Sequence, residues 1–174
     1  LEKRKNNLMY KLRKFKNDNY KTLIRLYKEL VPASKEEKNY IAQNSVGLIN
    51  YTYMGKGPVE IIFYSIKNNP NIVNFFSKHL GINKNEIISI HSNQYQEGSK
   101  ALAHKDSNSS RTYLILLSNA EMGGDLILDD ELVCFDEVGQ VIDYDGGEVN
   151  HGVTEIKKGY RETLVVWTKS KSLI

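Results

Sequence analysis

Residues 86–118 read EIISIHSNQYQEGSKALAHKDSNSSRTYLILLS. Two runs rich in Ile, Leu, Ser and Tyr, 86–95 and 111–118, flank the turn-forming groups Glu97-Gly98 and Ser107-Asn108-Ser109-Ser110. Such runs, bounded by Gly, Asn and Ser, mark short strands. The pattern continues through 124–128, 131–135, 140–144 and 160–168, broken by Gly123-Gly124 and Asp145-Gly146-Gly147. Many short strands with turns of this kind predict a sandwich or barrel. A jelly roll is one closure that deals with exposed sheet edges.

Upstream the period changes. Leu8, Leu12 and Phe15 fall at helical spacing, as do Leu23, Leu26, Tyr27 and Leu30. Asn17-Asp18-Asn19 reads as a break and cap between two helices, and Pro32 ends the second. Residues 46–54 read as a strand closed by Gly55-Lys56-Gly57-Pro58. Residues 69–80 predict a helix with Ile72, Val73, Phe75, Phe76 and Leu80 on one face, stopped by Gly81. Helices followed by strands give an α+β order, with helices bracing one face of a β core. No linker interrupts the chain. The expectation is one domain over 1–174, mostly helical through residue 84, with the β core over 85–174.

The chain has 174 residues, 40% of them hydrophobic and 26% charged, which suits a globular domain and excludes a disordered one. The single cysteine, Cys134, excludes an intramolecular disulfide and a multi-cysteine zinc site. No apolar run approaches the roughly 20 residues of a membrane helix. The first residues, Leu-Glu-Lys-Arg-Lys, carry no apolar leader, so a cytoplasmic setting is expected. Charge is uneven. Residues 1–30 hold ten Lys/Arg against three acids, while the remainder is net negative. A basic arm suits a solvated helix face first and a nucleic-acid contact second.

Of the four histidines, His104 is followed two residues later by Asp106. At a strand end, that spacing sends both side chains to one face, where they can grip one metal ion. His151 lies between a Gly-rich turn and the last strand. Two imidazoles and one carboxylate leave coordination positions open, as a non-haem Fe(II) oxygenase requires. Arg161 follows His151 by ten residues on the final strand. Its planar fork suits a dicarboxylate whose other end chelates the metal. Thr163 and Trp167 share its strand face, Thr163 as a hydrogen-bond donor and Trp167 as a pocket wall.

Residues 93–106, Arg111–Asn119, Gly123-Gly124-Asp125-Leu126 and the closing run HGVTEIKKGYRETLVVW (151–167) resemble the prolyl 4-hydroxylase-like branch of the 2-oxoglutarate- and Fe(II)-dependent dioxygenases. The resemblance covers residues 85–170. It implies a double-stranded β-helix, or jelly roll, with N-terminal helices packed on the major sheet. It further implies iron on His104, Asp106 and His151, and 2-oxoglutarate on Arg161. Tyr95 sits where the family has a Tyr lining the cosubstrate pocket. Tyr113 lies on the next strand. Related enzymes place a Tyr there at a later position, corresponding to Leu117, so Tyr113 is only carried as a candidate. Asn93 shares a face with Tyr95 and joins the pocket. The implied cosubstrates are 2-oxoglutarate and O2, with ascorbate as an optional reductant. Related halogenases have a small residue at the carboxylate position, so Asp106 implies hydroxylation.

The expected substrate is a peptidyl or free amino acid, prolyl first. A nucleobase or nucleic acid is the second reading, and a non-catalytic jelly-roll binding module the third. Glu97, Asp145 and Glu148 near the mouth disfavour a polyanion. Cys134 is expected to be buried in an apolar strand. His91 is read as structural, and His79 as a charge partner at a helix C-terminus.

Overall fold

A computed structural model of the chain describes residues 9–44, 55–106 and 111–169. Strand β1 (Tyr10–Lys14) comes first, followed by helices α1 (Asn17–Lys28) and α2 (Lys35–Asn44), and then β2 (Gly55–Lys56) and β3 (Val59–Tyr64). Helix α3 (Pro70–Leu80) precedes β4 (Ile87–Tyr95), β5 (Lys100–His104), β6 (Arg111–Ser118), β7 (Met122–Gly123) and β8 (Leu126–Leu128). The chain continues through β9 (Glu131–Val133), β10 (Gln140–Asp145), β11 (His151–Val153), β12 (Ile156–Lys158) and β13 (Arg161–Thr168).

The strands form a six-stranded sheet in the order β1-β10-β6-β13-β4-β3 and a five-stranded sheet in the order β2-β5-β11-β8-β9. A small β12-β7 ribbon completes the set. Every pairing is antiparallel. This is a double-stranded β-helix with helices on the outer face of its major sheet. Among the described residues, no helix is long and apolar enough to cross a membrane.

Three apolar clusters hold the described fold; the two larger lie on either face of the major sheet, and strand alternation assigns residues to each of these. On β13, Leu164 and Val166 face outward and join Leu23 of α1 and Ile72, Phe75 and Phe76 of α3. Val165 and Trp167 face inward and meet Leu126 and Leu128 of the minor sheet. Helix α3 forms as its apolar spacing predicts. Pro70 opens it, where a missing N–H costs nothing, and Gly81 closes it at φ +67°.

The N-terminal expectations need correction. Residues 10–14 form a strand and not a helix. They pair with β10 from Tyr10↔Tyr144 to Lys14↔Gln140 and cover an edge that would otherwise be open. Exposed Lys11 and Lys14 reflect that edge position. Asn17 does not separate two helices but begins α1, with Lys16 at the N-cap and no side-chain cap bond. Helix α2 and strand β3 were not expected. The strand read at 46–54 lies outside the described residues. Cys134 is exposed, because β9 ends one residue earlier, at the sheet edge. His79 does lie in the last turn of α3, but its ring packs on Phe75 at 4.4 Å.

Candidate metal centre and pocket

His104 ends β5 and His151 begins β11, and antiparallel pairing places them directly opposite one another. Their ring centroids are 4.4 Å apart. Asp106 follows β5 by two residues and turns back between them. Its Oδ1 lies 3.7 Å from His104 Nε2, and its Oδ2 lies 3.5 Å from His151 Nε2. All three residues are buried, and their ligand atoms fall within 4.8 Å of one another.

Local backbone geometry explains this convergence. The β5–β11 register shifts between His151 and Val153, with one extra residue on the β5 side between Ala101 and His104, so the bulge lies on the strand that carries His104. Gly152 lets the two strands approach closely there, since a Cβ on it would lie 2.9 Å from the Ala101 carbonyl and 3.0 Å from Ala103 N. Asp106 is held by its own N–H, which donates to the Gly146 carbonyl at 2.7 Å. Gly146 also leaves the room that the carboxylate occupies: a Cβ at that position would sit 2.5 Å from Asp106 Oδ2.

The two histidines share one tautomer device. Nδ1–H of His104 donates to the Leu102 carbonyl at 2.6 Å, and Nδ1–H of His151 donates to the Val149 carbonyl at 2.8 Å. A carbonyl only accepts, so the proton sits on Nδ1 and each Nε2 keeps its lone pair for the centre. Burial pushes the His104 pKa down, and His151 pushes it the same way. Among the described residues, neither Asp106 oxygen accepts a hydrogen bond. Two imidazoles that turn Nε2 toward the centre and one buried carboxylate without a hydrogen bond form a donor set that fits a divalent metal.

The triad opens onto a pocket of about 460 Å³, mouth included. Its opposite wall is the inner face of the major sheet. Register places Arg161 beside Tyr95, Thr163 beside Asn93, Val165 beside His91 and Trp167 beside Ser89. Arg161, Tyr95, Thr163, Asn93 and Trp167 all line the pocket with the triad. Arg161 is 1% exposed, and its guanidinium carbon lies 5.6 Å from the centroid of the Phe135 ring.

Tyr113 is not brought to the pocket. It sits on the outer face of β6, packed against the layer under the helices. Thr112 and Leu114 occupy the inward face instead. The tyrosine that does enter from a neighbouring strand is Tyr144 of β10, whose ring centroid lies 5.1 Å from that of His151. Tyr144, Thr112 and Phe135 were missed from sequence. The alternation of Ile142 and Tyr144 was the available signal for the first.

His91 faces the pocket as well. Its Nδ1 bonds Ser89 Oγ at 2.9 Å, and its ring meets Trp167 edge-on at 4.7 Å. Burial pushes its pKa down to about 3, opposed weakly by Asp106. The unfolded chain therefore takes up this proton first as pH falls. The corresponding stability is complete above about pH 6.5 and is lost as pH falls toward 3, with a limiting slope of about 1.4 kcal/mol per pH unit. The metal-free chain should lose more stability to urea between about pH 7 and pH 4.5 than His91→Gln does. Equal losses would remove His91 as the source of acid sensitivity.

A scan against protein-family models gives no match, and neither does a search of curated proteins. Solved structures do match. A prolyl-4-hydroxylase from Pseudomonas putida is 15% identical with a TM-score of 0.56, over 94% of this chain and 93% of that one. A prolyl hydroxylase from Trichoplax adhaerens, in complex with a hypoxia inducible factor oxygen degradation domain peptide fragment, is 13% identical. Its TM-score is 0.61, over 94% of this chain and 84% of that one. The viral collagen prolyl hydroxylase of Paramecium Bursaria Chlorella virus-1, a 2OG complex, is 12% identical with a TM-score of 0.52, over 91% and 94%. At these identities the likeness establishes the fold. In that fold the chain resembles the prolyl 4-hydroxylase-like branch of the 2-oxoglutarate/Fe(II) dioxygenases.

Proposed function

We propose that the chain is a single-domain Fe(II)- and 2-oxoglutarate-dependent hydroxylase. His104, Asp106 and His151 would hold the iron, and Arg161 the distal carboxylate of 2-oxoglutarate. The observation that carries this reading is one pocket shared by a buried His-Asp-His cluster and a buried arginine. When bound, iron supplies the oxidative chemistry that turns 2-oxoglutarate, O2 and a substrate C–H into succinate, CO2 and an alcohol. The chain's own residues position and shield. The Nδ1 bonds fix both imidazoles. Arg161 orients a dicarboxylate along the β13 face, with Tyr95 and Thr163 beside it. Trp167, Leu114 and Val165 keep the pocket dry.

The proposed substrate is a peptidyl residue, prolyl first, or a free amino acid. A structural neighbour solved with a peptide fragment supports the peptide reading. The test is succinate release from 2-oxoglutarate under O2, followed by mass analysis for a gain of about 16 Da, the mass of one oxygen atom. Proline-rich peptides, free amino acids and oligonucleotides are offered in parallel. Stimulation by peptide or amino acid is expected. Stimulation by oligonucleotides alone would move the exposed lysines of β1 and α1 from solvated surface to substrate contact. No succinate and no bound metal would leave a binding module.

A further inference from the structure

We propose that Thr112 is the positioning residue of the metal centre, its hydroxyl donating to the Asp106 carboxylate oxygen that the metal leaves over. The inference rests on the assignment of a metal to the triad. Thr112 is 2% exposed and lines the pocket, and among the described residues its Oγ1 has no hydrogen-bond partner. Both oxygens of Asp106, itself 5% exposed, are in the same condition. Buried polar atoms without partners are uncommon, because each keeps its full desolvation cost. Here a donor and an acceptor in that condition are neighbours.

Gly146 shows how close they are. The point where its Cβ would stand lies 2.5 Å from Asp106 Oδ2 and 2.7 Å from Thr112 Oγ1, so the two oxygens flank one small gap. They are therefore at most about 5 Å apart, within the reach of modest side-chain rotations. A metal-bound carboxylate only accepts, so Thr112 is the donor. Tyr144 and Trp167 are its cross-strand neighbours. Carboxylate ligands that receive such a bond keep one orientation, and losing it costs metal affinity.

The experiment titrates Mn(II) into the metal-free protein and reads free Mn(II) by electron paramagnetic resonance. Thr112→Val should weaken binding by about 10- to 100-fold. Thr112→Ser, which keeps the hydroxyl, should stay close to wild type. A second readout separates positioning from packing. Valine has the shape of threonine and removes a buried hydroxyl without a partner, so the metal-free thermal midpoint should not fall. Equal Mn(II) affinity in wild type and Thr112→Val would overturn the inference while leaving the metal assignment intact. A parallel loss in Thr112→Ser, or a loss explained by a lower metal-free midpoint, would overturn it too. Wild type that binds no Mn(II) would sink the metal assignment itself, and Thr112 with it.

Discussion

Asp106→Ala should abolish metal uptake and reduce succinate formation to background, while leaving the metal-free protein as stable as wild type or more so. Asp106 is the one carboxylate in the triad, and the two imidazoles beside it present Nε2 to the centre because their Nδ1 atoms are bonded to carbonyls. Removing it takes away a ligand and the negative charge that offsets a divalent cation. The loss should exceed the roughly 10- to 100-fold that removing a group hydrogen-bonded to a metal ligand costs. Stability moves the other way because a buried carboxylate without a hydrogen bond is costly to hold. Thermal denaturation with and without Mn(II) tests both halves. Wild type should gain a metal-dependent rise in midpoint, and Asp106→Ala should show none. A variant that keeps the wild-type rise would remove Asp106 from the ligand set.

The meeting of His104, Asp106 and His151 was legible because candidate ligands are sparse in the sequence and strand alternation has a short period. His104 and Asp106 share parity on a strand end, and His151 follows a Gly-rich turn. Tyr113, carried only from the family resemblance, could not have been checked by parity, for a physical reason. Strand β6 is covered on both faces, by the helices outside and the minor sheet inside. Its sequence, RTYLILLS, is apolar on both sides, so alternation gives no sign of which face is inward. Strand β1 failed differently. Tyr-Lys-Leu-Arg-Lys has little intrinsic strand character, and only pairing with β10 makes it one. The bulge on β5 opposite His151–Val153 and the gap beside Gly146 are tertiary features that no spacing announces.

Arg161→Ala should weaken 2-oxoglutarate binding by about 2–4 kcal/mol, roughly 30- to 1,000-fold, and leave Mn(II) affinity unchanged. Arg161 lies beside Tyr95 on the pocket wall opposite the triad, buried, with its guanidinium over the Phe135 ring. A charge-assisted pair formed there competes with little water, so its loss is felt strongly. Arg161→Lys should recover only part of the affinity, since an ammonium keeps the charge without the planar fork. Lost affinity alone does not show which end of the ligand Arg161 holds, so a second ligand is needed. A 2-oxo acid of similar length without the distal carboxylate should bind wild type far more weakly than 2-oxoglutarate. Arg161→Ala should bind the two almost alike. Competitive titration of both acids against the Mn(II)-loaded protein reads this difference directly. If the variant still prefers 2-oxoglutarate by the wild-type margin, the distal carboxylate is held by another group, and Tyr144 would be the first to replace.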